Sequence, residues 1–139
     1  MQGDCADQSL IVIDASALVE LLLRTPAARS IQTRLFENLE DLHAPQLIDV
    51  EVIQVFRRYS LAGELDADRG RALLADLMDF PMQRHSHEAL LPRVWELRHN
   101  LSAYDAIYLA LAEALDAALL TDDSRLVTAA RRHSWVKIL

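Results

Sequence analysis

Short runs of apolar residues alternate along this chain with longer stretches that have helical periodicity. The clearest runs are residues 10–13 (Leu-Ile-Val-Ile) and 117–120 (Ala-Ala-Leu-Leu), which contain no polar side chain that could face water. Such runs are typical of strands that are buried on both faces. A strand of this kind needs helices above and below it. We therefore expect an α/β fold, a three-layer sandwich with a central parallel β-sheet and helices on both faces.

The remaining elements follow from the same patterns, with proline and glycine marking several of the boundaries. Further strands are predicted at 42–44, where Pro45 ends the strand, at 81–84 and at 135–139. The helix that begins near Pro26 should have this proline in its first turn, and Gly63 is expected to follow the end of another helix. The predicted helices are 15–23, one starting at 25–26, 46–61, 66–78, 86–99 with Pro92 as a kink or a start, 103–114 and 124–132.

Size and composition limit the class of protein. The chain has 139 residues, 52% of them hydrophobic, which suits a single folded domain over 1–139 and excludes disorder. Residues 1–9 form a polar tail with one cysteine, Cys5, and no basic residue, so we expect neither a disulfide nor a signal peptide. No apolar run approaches the length of a membrane span. These features favour a cytoplasmic protein, and the net charge of −7 argues against a simple basic surface for nucleic acid.

Four of the 21 acidic residues stand in apolar surroundings. Asp14 ends the first strand, and Asp123 lies just beyond the strand at 117–120. Glu51 is flanked by valine and isoleucine on nearly every side, and Asp105 opens a helix that is apolar enough to be buried. Because the carboxyl ends of parallel strands meet at one edge of a sheet, several of these acids are expected to lie close together.

Burying an ionised carboxylate without a partner is very costly, so each acid must be protonated, paired or bound to a metal. A cluster of carboxylates is a hard oxygen site that suits Mg²⁺ or Mn²⁺, and such ions suit phosphodiester cleavage. Helix capping is the alternative, since Asp14, Asp105 and Asp123 all precede helices. Glu51 lies several residues inside its helix, where capping does not explain it.

The motifs around these acids resemble the PIN-domain ribonucleases, in particular the VapC toxins of type II VapBC toxin–antitoxin systems. The first has an acid followed two places later by serine, and the last has a Thr-x-Asp pattern. The resemblance extends from about residue 10 to residue 139. Four stretches carry it: 11–18 (IVIDASAL), 44–52 (APQLIDVEV), 104–112 (YDAIYLALA) and 119–126 (LLTDDSRL).

The resemblance implies a magnesium-dependent endoribonuclease that acts as a toxin and hydrolyses RNA phosphodiester bonds by metal-activated water, leaving a 5′-phosphate and a 3′-hydroxyl. Ser16 and Thr121 would hydrogen-bond to the metal ligands or to their water. A VapB-type antitoxin would cover the site, and the toxin is expected to form a homodimer. The implied catalytic residues and ligands of Mg²⁺, with Mn²⁺ possible, are Asp14, Glu51, Asp105 and Asp123.

Several nearby residues have less certain roles. Asp122 is adjacent to Asp123 and is either a supporting acid or an exposed one. Asp49 lies two residues before Glu51, which is the wrong spacing for the same helix face. Arg24, Arg57 and Arg58 are candidates for RNA phosphate contacts or ordinary partners of helix ends.

Other functional classes remain as alternatives to the nuclease. His85 and His87 could share a strand face. With one cysteine and no third nearby histidine, however, they lack the further ligands that a zinc site needs. A phosphoacceptor signalling domain would use Lys137, the sole lysine. It lacks the tight acid pair after the first strand, where Ala15 follows Asp14. A non-catalytic binding module is the third class, although all four acids are present.

Overall fold

A computed structural model describes residues 10–38 and 41–139. The predicted polar tail at 1–9, including Cys5, lies outside the described residues. Four parallel strands form one sheet in the order β3-β2-β1-β4, with β1 and β2 in the interior. The strands are β1 (Ile11–Ile13), β2 (Leu42–Pro45), β3 (Gln83–His85) and β4 (Ala118–Leu120).

Helices connect successive strands and cover the sheet, which confirms the predicted α/β sandwich. None of the helices within residues 10–38 and 41–139 combines the length and the apolar character needed to cross a membrane. The helices are α1 (Ala15–Leu23), α2 (Ala28–Asn38), α3 (Leu47–Leu61), α4 (Ala67–Asp79), α5 (Leu91–Glu96), α6 (Ala103–Leu115) and α7 (Ser124–His133).

The core forms where α6 packs against β1, β2 and β4. All three residues of β1 are fully buried, as the continuous apolar run predicted. In α6 the seven consecutive residues from Ala106 to Ala112 are buried, so this helix has no solvent face over that length. Burial of one large aliphatic side chain contributes roughly 1.5–3 kcal/mol. The many buried aliphatic side chains of α6 therefore hold this helix against the sheet.

Two prolines differ from their predictions, and a third confirms one of the two alternatives given for it. Pro45 is the last residue of β2 instead of the residue after it, because it is the Gln46 N–H that donates to the His85 carbonyl here, so the pairing needs no N–H on Pro45. Pro26 lies in a turn, and α2 begins only at Ala28. Pro92 marks a start, because α5 begins beside it after a short 3-10 turn at Glu88–Leu90.

Three other boundaries were also wrong. The helix predicted at 86–99 is reduced to this 3-10 turn, α5 and a turn at 97–100, while β3 begins at Gln83 and not at residue 81. The strand predicted at 135–139 is reduced to one bridge between Ile138 and Leu119. Trp135 is 69% exposed, so the start of that segment does not join the sheet.

Gly63 follows α3 as predicted and has a left-handed backbone (φ +79°). The Gly63 N–H donates to the Ser60 carbonyl and the Glu64 N–H to the Tyr59 carbonyl, which is the hydrogen-bond pattern of a Schellman motif. In α4, Leu73 and Leu77 are buried, whereas Met78 is 67% exposed. The buried face of α4 therefore excludes Met78.

Candidate active site

The four acids singled out in the sequence lie on elements that meet at the carboxyl edge of the sheet. Asp14 follows β1 and precedes α1, and Asp123 lies three residues after the end of β4. Glu51 is in the first half of α3, which follows β2, and Asp105 is in the first turn of α6. Because β1 pairs with both β2 and β4, this topology brings segments that are distant in sequence to one edge.

Asp14 is the most buried of the four acids, with 5% of its surface exposed. One carboxylate oxygen, Oδ1, accepts from the Ser16 hydroxyl at 2.8 Å and from the Ala17 N–H at 3.1 Å. The other, Oδ2, accepts from the Thr121 hydroxyl at 2.5 Å. Asp14 therefore caps α1, as the capping interpretation held, but a side chain beyond β4 also holds its carboxylate in place.

Ser16 and Thr121 join the end of β1 to the loop after β4. The Thr121 hydroxyl, which donates to Asp14, accepts from the Asp123 N–H at 3.0 Å. The Ser16 hydroxyl accepts from the Asp122 N–H at 2.9 Å, and the two hydroxyls are 3.3 Å apart. Both residues thus orient the loop that carries Asp123, in addition to holding Asp14.

Asp123 and Asp105 differ in how they relate to their helices. Asp123 Oδ1 accepts from the Arg125 N–H at 2.9 Å, so Asp123 is the N-cap of α7. Asp105 is not a cap, because Ser102 holds that position in α6 and accepts from the Asp105 N–H at 3.2 Å. The capping explanation therefore does not apply to the side chain of Asp105, which is half-buried and has the Ser102 side chain as a hydrogen-bond partner.

Glu51 is half-buried and contacts α6 through a tyrosine. The Tyr108 hydroxyl donates to Glu51 Oε1 at 2.5 Å. No role at the site was assigned to Tyr108 from the sequence. Its signal was the spacing, because Tyr108 lies three residues after Asp105 and therefore on the same face of α6.

Burial and the charges of neighbouring acids favour the protonated forms of Asp14, Glu51 and Asp105. Burial raises the pKa of Asp14 to about 6, and the charge of Asp123 acts in the same direction. Burial also raises the pKa of Glu51, with smaller contributions from Asp105 and Asp14. The pKa of Asp105 is raised by burial and then by Asp123, against the opposing charge of Arg125. The four acids are thus close enough to repel one another.

The donor set fits a hard divalent cation. Within residues 10–38 and 41–139, no group of three His, Cys, Asp or Glu side chains is already grouped tightly enough to hold a metal ion. The four carboxylates nevertheless interact electrostatically at one edge, and their ligand atoms are the oxygens that Mg²⁺ and Mn²⁺ prefer. A cation among them would offset the mutual repulsion of the carboxylates.

The neighbouring acids have distinct positions. Asp122 is exposed, and only its backbone N–H contributes to the Ser16 network. Asp49 pairs with Arg84 at 2.8 Å, so it belongs to a contact between α3 and β3. This partner was not foreseen, but the prediction that Asp49 does not share the face of Glu51 agrees with it.

A groove of about 680 Å³ opens beside Glu51 between α1 and α3, and Tyr104 contributes to its wall. Its apolar part includes three valines, and its charged lining residues are Glu20, Glu51, Arg58 and Asp122. Of the arginines proposed for RNA contacts, Arg58 alone lines this groove among the described residues. Arg57 is exposed on α3, and Arg24 is the exposed left-handed residue at the end of α1 (φ 57°).

Three comparisons with known proteins agree with this geometry. The family model described as the PIN domain matches residues 11–132. Ribonuclease VapC9 of Mycobacterium tuberculosis is 43% identical over 117 residues, which are 84% of this chain and 88% of that protein. Ribonuclease VapC1 of the same species is 40% identical over 129 residues, 92% of this chain and 96% of that protein.

A solved structure gives the same result for the fold. The crystal structure of VapBC2 from Rickettsia felis, bound to a DNA fragment from its promoter, superposes with a TM-score of 0.66. The alignment covers 94% of this chain and 97% of that chain at 13% sequence identity. At this low identity the likeness shows a shared fold and does not extend to individual residues.

Proposed function

Because the chain belongs to the PIN-domain family, and within it to the VapC ribonucleases, we propose that it is a metal-dependent endoribonuclease and the toxin of a toxin–antitoxin pair. The proposal covers the whole chain as one PIN domain. One observation carries it: Asp14, Glu51, Asp105 and Asp123 share one sheet edge, where three of their pKa values are raised. VapC9 and VapC1 are named ribonucleases, which supports RNA as the substrate.

The four acids would hold Mg²⁺ or Mn²⁺. A bound divalent cation supplies Lewis acidity, which activates water for attack on phosphorus and offsets charge on the scissile phosphate. Hydrolysis by water attack on phosphorus would leave a 5′-phosphate and a 3′-hydroxyl. The loop after β4 contributes Asp123, and the hydroxyls of Ser16 and Thr121 keep that loop beside Asp14.

The hydrogen bonds at the site keep ligand oxygens oriented before any ion arrives. Three donors hold the Asp14 carboxylate, so it does not have to be reoriented when a cation binds. The Tyr108 hydroxyl, which belongs to α6, orients the Glu51 carboxylate of α3 in the same way. Both tyrosine and threonine hydroxyls favour the ionised carboxylate, which is the form that binds metal.

The acidic character of the site bears on how RNA approaches. The chain carries a net charge of −7, and the four acids add local repulsion toward phosphate. A divalent cation is therefore expected to assist RNA binding as well as cleavage. Arg58, with Arg24 and Arg57 farther along the surface, would offer positive charge to the RNA on the α3 side.

We also propose two protein partners. The groove beside Glu51 has valine walls and acidic side chains, which suits a VapB-type antitoxin segment with apolar and arginine residues. The VapBC2 structure, a toxin–antitoxin pair, supports such a partner. Exposed apolar residues on α3 and α4, including Leu61 (71%) and Met78 (67%), offer a surface for a homodimer.

The test is cleavage of RNA by the purified chain after its antitoxin has been removed. We expect cleavage with Mg²⁺ or Mn²⁺, none with EDTA, and none from Asp14→Asn or Asp105→Asn proteins that remain folded by circular dichroism. Asp79→Asn, which changes an exposed acid at the end of α4, is the control and should cleave like the parent. In cells, induced growth arrest should be relieved by a co-expressed antitoxin.

Two results would contradict this proposal. Cleavage that survives both substitutions and chelation would exclude the metal-dependent mechanism. A folded chain that cleaves no RNA under any of these conditions would instead favour a non-catalytic or phosphoacceptor domain.

A further inference from the structure

A second groove, which shares no lining residue with the first, lies between α7 and the turn at 97–100. We call it the α7 groove, and its volume is about 420 Å³. It has one wall from the turn and one from α7, where residues 125, 128, 129 and 132 recur at helical spacing. The side chains that matter for its chemistry are His99, Asn100, Arg125, Thr128, Arg132 and His133.

The charge of the α7 groove is opposite in sign to the net charge of the chain. Within the part of the chain that the structure describes, no aspartate or glutamate lines it, although the chain has seven more acidic than basic residues. Helix α7 carries three arginines and no acid over ten residues. Its lining supplies guanidinium, amide, hydroxyl and imidazole groups, all of which can donate hydrogen bonds to phosphate oxygens.

The two arginines of the groove are not used to hold the fold together. Among the described residues, Arg71, Arg84 and Arg93 form ion pairs with carboxylates, whereas no such pair involves Arg125 or Arg132. Both side chains are exposed. The charge of Arg125 acts on Asp105 at longer range. An arginine that has no close ion pair can bind an external anion without first breaking a salt bridge.

The groove opens directly beside the acids. Asp123 caps α7, so the helix that forms one wall begins at a proposed metal ligand. In the first turn of the same helix, Arg125 is close enough to Asp105 for its positive charge to lower the pKa of that carboxyl group. An RNA strand whose scissile phosphate lies at the acids would therefore have a neighbouring phosphate within reach of the groove.

We propose that the α7 groove binds the RNA backbone next to the cleaved bond, with Arg132 and Arg125 contacting phosphates that flank the scissile one. This inference rests on the proposed function and adds a substrate subsite to it. It differs from the arginines predicted from sequence, because Arg24, Arg57 and Arg58 belong to α1 and α3. Helix rise separates Arg125 and Arg132 by about 10 Å, which suits separate phosphates.

The test uses Arg132→Gln and a matched control, Arg131→Gln. Both change one exposed arginine of α7, but Arg131 does not line the groove. Binding of a fluorescein-labelled oligouridine is measured by anisotropy with Mg²⁺ in an Asp14→Asn background, at several salt concentrations. Arg125 is left unchanged because its loss would also alter Asp105.

We expect Arg132→Gln to weaken RNA binding about tenfold, as the loss of a charged hydrogen bond would. The slope of log affinity against log salt should fall by about 0.7, the value for one phosphate contact on a single strand. Arg131→Gln should leave both the affinity for RNA and the salt slope close to those of the parent. Thr128→Glu, which adds an acid inside the groove, should weaken binding further than Arg132→Gln.

Three results would overturn the inference. Equal losses in the two arginine variants would mean a general charge effect. Unchanged RNA binding by Arg132→Gln and Thr128→Glu, with cleavage intact in the parent, would reject the groove while leaving the nuclease function in place. Unchanged RNA binding combined with weaker antitoxin binding would assign the groove to the antitoxin. If the parent chain neither binds nor cleaves RNA, the proposed function itself fails.

Discussion

The Tyr108 hydroxyl lies 2.5 Å from Oε1 of Glu51 and joins α6 to α3 across the acidic edge of the sheet. The two residues are 57 positions apart, and Tyr108 is almost completely buried. Because the hydroxyl donates to the carboxylate, it lowers the pKa of Glu51 against the effect of burial. Tyr108 is thus a positioning residue that keeps a proposed metal ligand oriented and ionised.

Replacing Tyr108 with phenylalanine should move the pH profile of cleavage toward higher pH. The pKa of Glu51 would rise further once its donor is lost, so a higher pH would be needed to ionise it. The variant should also unfold more easily in urea, by about 1 kcal/mol. Tyr104→Phe, which changes an exposed tyrosine of the same helix, is the control. A loss of stability without a shift of the profile would limit Tyr108 to a structural role.

Asp14→Asn should stabilise the fold at neutral pH while it abolishes activity. The pKa of Asp14 is raised from 3.8 to about 6 in the folded state, so its ionisation opposes folding above that pH. In the absence of metal, the variant should gain stability on the order of 3 kcal/mol at pH 7.5. The gain should shrink as pH falls through 6 and vanish below about 4.

Urea unfolding at pH 4, 6 and 7.5 in EDTA would measure this difference. A parent protein that is more stable than Asp14→Asn at pH 7.5 would contradict the prediction. It would mean that the ionised carboxylate gains more from its three donors than it loses by burial.

Asp123→Asn and Asp122→Asn form a matched pair of adjacent substitutions. Asparagine is also a good N-cap, so Asp123→Asn should keep α7 intact but lower the cleavage rate by about 100-fold through loss of a metal ligand. The Asp122 side chain is exposed and only its backbone takes part in the Ser16 network, so its change should matter little. Single-turnover cleavage rates would distinguish the two, and a reversed order would assign the ligand to Asp122.

His43 should make the fold sensitive to acid. His43 is buried beside His85, with its Nδ1 2.9 Å from His85 Nε2, and burial together with this neighbour lowers the pKa of His43. A lowered pKa means that the neutral ring favours folding, so this contribution is complete above about pH 6.5 and decreases as pH falls below it. His43→Gln should lose less stability than the parent between pH 7.5 and 5.5.

The control for this prediction is His99→Gln, which changes an exposed histidine. Asp14 acts with the opposite sign in the same pH range, so the comparison uses the difference between each variant and the parent. An equal loss in His43→Gln and the parent would show that His43 does not cause the acid sensitivity.

Local sequence patterns determined much of this protein. The apolar run of residues 10–13 predicted a buried strand, and all of β1 is buried because such a run has no side that tolerates water. The bounds of α1 were predicted correctly, and Gly63 was placed correctly after α3. The acids at Asp14, Glu51, Asp105 and Asp123 stood out because apolar neighbours make an isolated charge costly.

Only the tertiary structure decided how these residues interact. Sequence could not pair Tyr108 with Glu51, because that contact depends on how α6 packs against the sheet. It could not separate the capping role of Asp14 from its place in the Thr121 network. Edge segments escaped prediction too. Residues 135–139 have strand-like composition, but a strand forms only where a neighbour supplies hydrogen bonds along its length. Among the described residues, only Leu119 pairs its backbone with this segment.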